Sequence, residues 1–178
     1  MLRYYVRRSF NEELQVVSAA PVEHAWIYGA SLTNTELVKI ANDYSLDLDI
    51  IRDVRDKYEL PRVEYSNGAL YIFARSLHHA HDNSVASTPF LTVLKGSLII
   101  TLSTGAYSTP ENVFGESKLT MRSSRHVFTQ LLGHLIYQYE TFINHTATYI
   151  LGTSQRLQDK EIGNKDFIKF VTVENDLN

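Results

Sequence analysis

Pro61-Arg62-Val63-Glu64-Tyr65-Ser66-Asn67-Gly68-Ala69-Leu70-Tyr71-Ile72-Phe73-Ala74 decides the fold class. Val63 to Tyr65 and Leu70 to Ala74 are rich in β-branched and aromatic residues, and Ser66-Asn67-Gly68 stands between them. Asn and Gly both tolerate positive φ, which a tight hairpin turn requires, so the stretch predicts a β-hairpin. A second hairpin is expected downstream, with Phe90 to Leu94 and Leu98 to Leu102 turned at Lys95-Gly96-Ser97. Upstream, Thr33 and Glu36 fit a capping box, and Leu32 and Leu37 occupy the hydrophobic-staple positions around it. Leu37, Ile40, Ala41 and Tyr44 then follow the spacing of a buried helical face.

The remaining segments extend this pattern. Leu2 to Arg8 and Leu14 to Val17 read as strands joined through Ser9-Phe10-Asn11-Glu12-Glu13, and Ala25 to Tyr28 as a short strand. A second helix is expected over Asp47 to Lys57, with Asp47 and Asp49 at its positive end. His78 to Ser87 is polar and reads as a loop. From Ser123 to Asp159 there is no proline, and Phe128, Leu135, Phe142 and Tyr149 recur every seven residues, with Leu132 and Tyr139 on the same seam. That spacing predicts one long helix. Gly163-Asn164 reads as a turn and Lys165 as the start of another helix. The expected architecture is α/β, a mixed sheet sandwiched between helices and followed by a long helical arm. The expected division is residues 1–120 for the α/β domain and 121–178 for the arm.

Composition narrows the function classes. A hydrophobic content of 44% supports a packed core, and 17 basic against 20 acidic residues give a net charge of −3. No basic excess points to nucleic acid. With no cysteine, disulfides, thiolate catalysis and cysteine-ligated zinc are excluded. The most apolar run, Phe90 to Leu102, is interrupted by Lys95, Gly96 and Ser97 and is too short to span a bilayer. Signatures such as Gly-x-Ser-x-Gly, Gly-x-x-x-x-Gly-Lys and His-Glu-x-x-His are missing.

Two clusters carry ligand-type residues. His78, His79, His81 and Asp82 have the chemistry of a transition-metal site; taken alone, such residues in a loop are more often simply solvated. Asp43, Asp47, Asp49, Asp53 and Asp56 supply the oxygen that Mg²⁺ or Ca²⁺ prefers, without the glycine and terminal glutamate of an EF-hand loop. Helix-start and surface charge is the plainer account of that run.

The stretch from Trp26 to Phe73 also carries a family resemblance. Ala25-Trp26-Ile27, the Thr-x-x-Glu helix, Ile50-Ile51-Arg52-Asp53-Val54, Pro61-Arg62-Val63-Glu64 and Asn67-Gly68-Ala69-Leu70-Tyr71-Ile72-Phe73 resemble the soluble N-terminal cytoplasmic domain of CorA-type magnesium and divalent cation transporters. Thr88 to Leu94 and Ser97 to Leu102 resemble the hairpin that precedes that family's helical part. Two features depart from the family: Arg52 stands where an acidic residue is common, and the helix from Ser123 is poor in carboxylates. The resemblance implies a homo-oligomer, a pentamer in the full-length protein, that transports Mg²⁺ or other divalent cations and performs no catalysis. It places the domain at the cytoplasmic face of the cell membrane, meeting the membrane only through C-terminal helices absent from this chain. It also implies that Asp53 holds a regulatory Mg²⁺ at a subunit interface. The rival readings are a soluble metal-dependent enzyme built on the histidine cluster and a cytosolic interaction protein that assembles through the aromatic seam.

Overall fold

The computed structural model describes residues 1–6, 15–79, 85–105, 113 and 123–158. Seven strands form one mixed sheet: β1 (Leu2–Val6), β2 (Gln15–Val17), β3 (Ala25–Ala30), β4 (Arg62–Ser66), β5 (Ala69–His79), β6 (Val85–Lys95) and β7 (Leu98–Ser103), in the order β2-β1-β3-β7-β6-β5-β4. The pair β3–β7 is parallel, with Ala30 opposite Ser103, and the other pairs are antiparallel. Between β3 and β4 lie α1 (Asn34–Asp43), α2 (Leu48–Arg52) and a 3-10 turn (Asp53–Arg55). A single helix, α3 (Ser124–Gln158), closes the described chain.

Local chemistry sets these boundaries. Asn67 and Gly68 adopt φ of 51° and 72°, as a two-residue turn between right-twisted strands demands. Thr33 caps α1 by accepting from the Glu36 amide, while the Glu36 carboxylate accepts from the Thr33 amide at 2.7 Å. At the other end of α1, Lys95 donates to the carbonyls of Tyr44 and Ser45 at 2.9 and 2.8 Å, neutralising the negative end of the helix.

Side-chain alternation along the central strands builds two cores. On one face Ala25, Ile27, Tyr71, Phe73, Leu91, Val93, Ile100 and Leu102 pack against Leu37, Ile40 and Ala41 of α1 and Ile51 of α2. On the other, Tyr5, Trp26, Tyr28, Phe90 and Ile99 pack against Val127, Leu131 and Leu135 of α3. All six residues of β3 and all six of β7 are buried, as expected of strands covered on both faces. The mixed sheet therefore lies between two helical layers, as the sequence predicts. Trp26 satisfies its buried indole N–H on Thr101 of the parallel neighbour at 2.9 Å.

Three expectations are corrected. The helix expected over Asp47 to Lys57 stops at Arg52 and tightens into a 3-10 turn, with Asp56 extended beyond it. The loop expected from His78 to Ser87 is strand at both ends, because β5 continues to His79 and β6 begins at Val85; its middle, residues 80–84, lies outside the described residues. The packed stripe of α3 runs through Val127, Leu131 and Leu135, whereas Leu132 is 41% exposed. The connection after Val6 and the turn and helix expected after residue 162 also lie outside the described residues.

Candidate functional site

Asp53 is the residue on which the metal expectation falls. It follows Arg52 at the end of α2 and opens the 3-10 turn. Its carboxylate, with 45% of the side chain exposed, is held by the Arg62 guanidinium at 2.7 Å. Arg62 is the first residue of β4, and the same guanidinium also bonds the carboxylates of Glu59 and Glu64. Its carbon lies 4.2 Å from the centroid of the Phe73 ring, so the cation is stacked as well as hydrogen-bonded. Burial opposes the Arg62 charge, but the hydrogen bonds and charges of Glu64 and Asp53 outweigh it and raise its pKa above the usual arginine value. One cation thus fixes three carboxylates from three separate positions of the chain. The motif Pro61-Arg62-Val63-Glu64 signals the strand, but nothing local in it shows that Arg62 reaches back nine residues to Asp53.

Arg75 buttresses this region from β5. Its guanidinium donates to the carbonyls of Glu59, Lys57 and Ser87 and to the Ser87 hydroxyl, at 2.7 to 3.0 Å. The segment between the 3-10 turn and β4, which contains no regular element, is tied to the sheet by these bonds.

The other aspartates of the acidic run serve local structure. Asp47 caps α2 by accepting from the amides of Asp49 and Ile50, and its second oxygen accepts from the Ser66 hydroxyl at 2.9 Å. Asp49 pairs with Arg52 at 3.5 Å, and Asp56 accepts from the Tyr58 amide at 3.0 Å. Asp43 is exposed at the last position of α1. The run does not converge. His78 and His79 are strand positions opposite Ala86 and Val85, while His81 and Asp82 lie outside the described residues. Among the described residues, no group of three or more His, Cys, Asp or Glu side chains is placed to hold a metal ion.

A second polar feature lies beneath α3. Gln138 accepts from the Ser76 hydroxyl at 3.3 Å and meets the His134 imidazole at 3.2 Å. Burial pushes the His134 pKa down. Further along, Leu132, Leu135, Ile136, Tyr139 and Ile143 of α3 form, with Ala74 and Arg75 of β5, an open apolar cleft of about 570 Å³. No helix among the described residues is long and apolar enough to cross a membrane.

The fold is shared with known proteins. The complete CorA magnesium transporter of Methanocaldococcus jannaschii superposes with a TM-score of 0.79 at 12% identity, over 99% of this chain and 57% of that one. The soluble domain of the same organism's CorA superposes with a TM-score of 0.79 at 13% identity, over 97% of this chain and 70% of that one. The ZntB cytoplasmic domain of Vibrio parahaemolyticus gives 0.68 at 7% identity, over 85% and 64%. At such identities the likeness establishes the fold alone, and this chain spans 57% of the length of the complete transporter. No curated protein sequence matches the chain significantly. The sequence does match the family described as CorA-like Mg²⁺ transporter protein over residues 23–175, from just before β3 to beyond α3. By that match over most of its length, the chain belongs to the CorA-like Mg²⁺ transporter family.

Proposed function

We propose that this chain is the cytoplasmic regulatory domain of a homo-oligomeric, pentameric transporter of Mg²⁺ or other divalent cations, and that Asp53 is one ligand of a regulatory cation held between protomers. Family membership supports the transport role. The proposed division into an α/β domain, residues 1–120, and a helical arm, residues 121–178, is kept. Catalysis has no place in this reading, and the membrane is met through segments beyond this chain at its cytoplasmic face.

The observation that carries the regulatory part is the state of Asp53. Its carboxylate is oriented by Arg62 yet remains 45% exposed. A hard cation needs about six oxygen ligands. Among the described residues no group of three or more His, Cys, Asp or Glu side chains is placed to hold a metal ion, and the carboxylates nearest Asp53 are occupied by Arg62; in this reading a site that uses Asp53 draws its remaining oxygens from water and from another protomer. Carboxylates facing each other across an interface repel, and a bridging cation removes that repulsion. Loss of the cation then loosens the interface, which couples ion concentration to gating.

The test is Asp53→Ala in the full-length transporter. Mg²⁺ is expected to protect the wild type from proteolysis, and the variant is expected to need more Mg²⁺ for the same protection while keeping its melting temperature. Wild-type Mg²⁺ dependence in a folded variant rules out Asp53 as a ligand.

A further inference from the structure

The parallel pair β3–β7 creates a feature that the proposed cation site does not use. After β3 the chain passes to α1, which packs on one face of the sheet, whereas α3, the last described helix, packs on the opposite face. Where two neighbouring parallel strands send their connections to opposite faces, a crevice opens beyond their carboxyl ends, and open α/β sheets bind ligands there. The crevice is present. It measures about 350 Å³ and is lined by Ser31, Leu32 and Leu37, by Val54 and Arg55 of the 3-10 turn, and by Leu102, Ser103 and Thr104. Its volume is at the small end of the range for ligand pockets, about 300–1,000 Å³.

The walls are fixed. The Ser31 amide donates to the Ser103 carbonyl at 2.9 Å, and the Ser31 hydroxyl to the Thr104 carbonyl at 2.6 Å, stitching the two strand exits together. Leu32, Leu37, Val54 and Leu102 back the crevice but are at most 9% exposed, so the surface open to a ligand is mostly polar. Arg55 is the one charged residue of the lining, and the Ser31 and Ser103 hydroxyls already donate to the Thr104 and Gly105 carbonyls. The neighbouring arginines of this region are engaged, Arg52 by Asp49 and Asn34 and Arg62 by three carboxylates. Arg55 is exposed and forms no ion pair or hydrogen bond among the described residues. Its five donors, in a planar fork that matches a carboxylate or phosphate, are uncommitted at the mouth of the pocket.

We propose that this mostly polar crevice binds a small organic anion, with Arg55 pairing its carboxylate or phosphate. The site uses Arg55 rather than Asp53, two residues away in the same 3-10 turn, so separate variants and ligands test it and the cation site.

The experiment is an amide-resolved NMR titration of the 178-residue chain at fixed ionic strength. Glycerol 3-phosphate and butyrate are the two anionic probes, with glycerol and butyramide as their neutral counterparts. Saturable shifts clustered at Ser31, Arg55 and Thr104 with either anion, and not with its neutral counterpart, support the proposal, and which anion binds identifies the head group. Arg55→Gln should weaken the better anion about tenfold or more while leaving the unliganded melting temperature unchanged. Arg52→Gln should leave binding intact. The proposal is overturned by the absence of saturable shifts, by equal response to the neutral probes, or by an Arg55→Gln variant that binds as well as wild type.

Discussion

Leu131 and Leu132 are adjacent, chemically identical and differently placed, so truncating each in turn tests how α3 sits on the sheet. Leu131 is 1% exposed, among Trp26, Phe90, Ile99 and Leu135, whereas Leu132 is 41% exposed on the wall of the open cleft. Leu131→Ala removes three buried carbons and leaves a void enclosed by sheet and helix, a change that costs about 2–5 kcal/mol. Leu132→Ala enlarges a space already open to solvent, so no enclosed cavity forms and only the transfer of a half-exposed side chain is lost, about 1 kcal/mol or less. For a chain of this size each kcal/mol lowers the melting temperature by roughly 2–4 °C. Leu131→Ala is thus expected to melt roughly 4–20 °C below wild type, and Leu132→Ala no more than about 4 °C below. Thermal and urea unfolding followed by circular dichroism read both. Equal destabilisation, or a larger loss at Leu132, would mean that the helix is rotated on the sheet and that the second core is misassigned.

Three further outcomes follow from geometry already described. A Cβ on Gly29 would stand 2.6 Å from Leu32 Cδ1 and 2.8 Å from Leu102 Cδ2, so Gly29→Ala is expected to cost about 1–3 kcal/mol in urea unfolding through overpacking. Thr33→Ala removes one half of the capping box and should cost about 0.5–2 kcal/mol, with Thr33→Ser recovering most of it. The His134 pKa is depressed by burial, so below pH 6.5 the unfolded chain takes up a proton that the folded chain resists. Stability should therefore fall as pH drops from 6.5 towards the lowered folded value, and His134→Gln should reduce that slope in unfolding curves measured across the range.

The elements most legible in the sequence are those whose signal is local. Asn67-Gly68 fixes a turn because few other pairs accept positive φ at both positions, and Thr33 with Glu36 fixes a helix start because the two side chains satisfy each other's backbone. The family resemblance rests on the same stretch. The far ends of β5 and β6 are obscured by the polar run His78 to Ser87, which suggests a loop, while the backbone ladder from Leu77–Ser87 to His79–Val85 holds its two ends as strand. On α3 the seven-residue recurrence selects Leu135, which is buried, together with Leu132, whereas the buried face also runs through Val127 and Leu131, which the recurrence omits. The Asp53–Arg62 pair and the crevice at Arg55 have no sequence signature, because each joins segments that only the fold brings together.

The unequal lengths of β6 and β7 affect how the chain behaves among its own copies. β7 pairs with β6 from Phe90 onward, so on that side Ala86 to Pro89 has no strand beside it among the described residues. Four residues of open ladder, about 14 Å, can template an incoming strand and start intermolecular polymerisation. Two of its groups are already withdrawn: Pro89 has no N–H to offer, and the Ser87 carbonyl is taken by Arg75 at 2.7 Å. An invading chain would find an interrupted row of partners, which lets the sheet carry a long overhanging hairpin with reduced risk of aggregation.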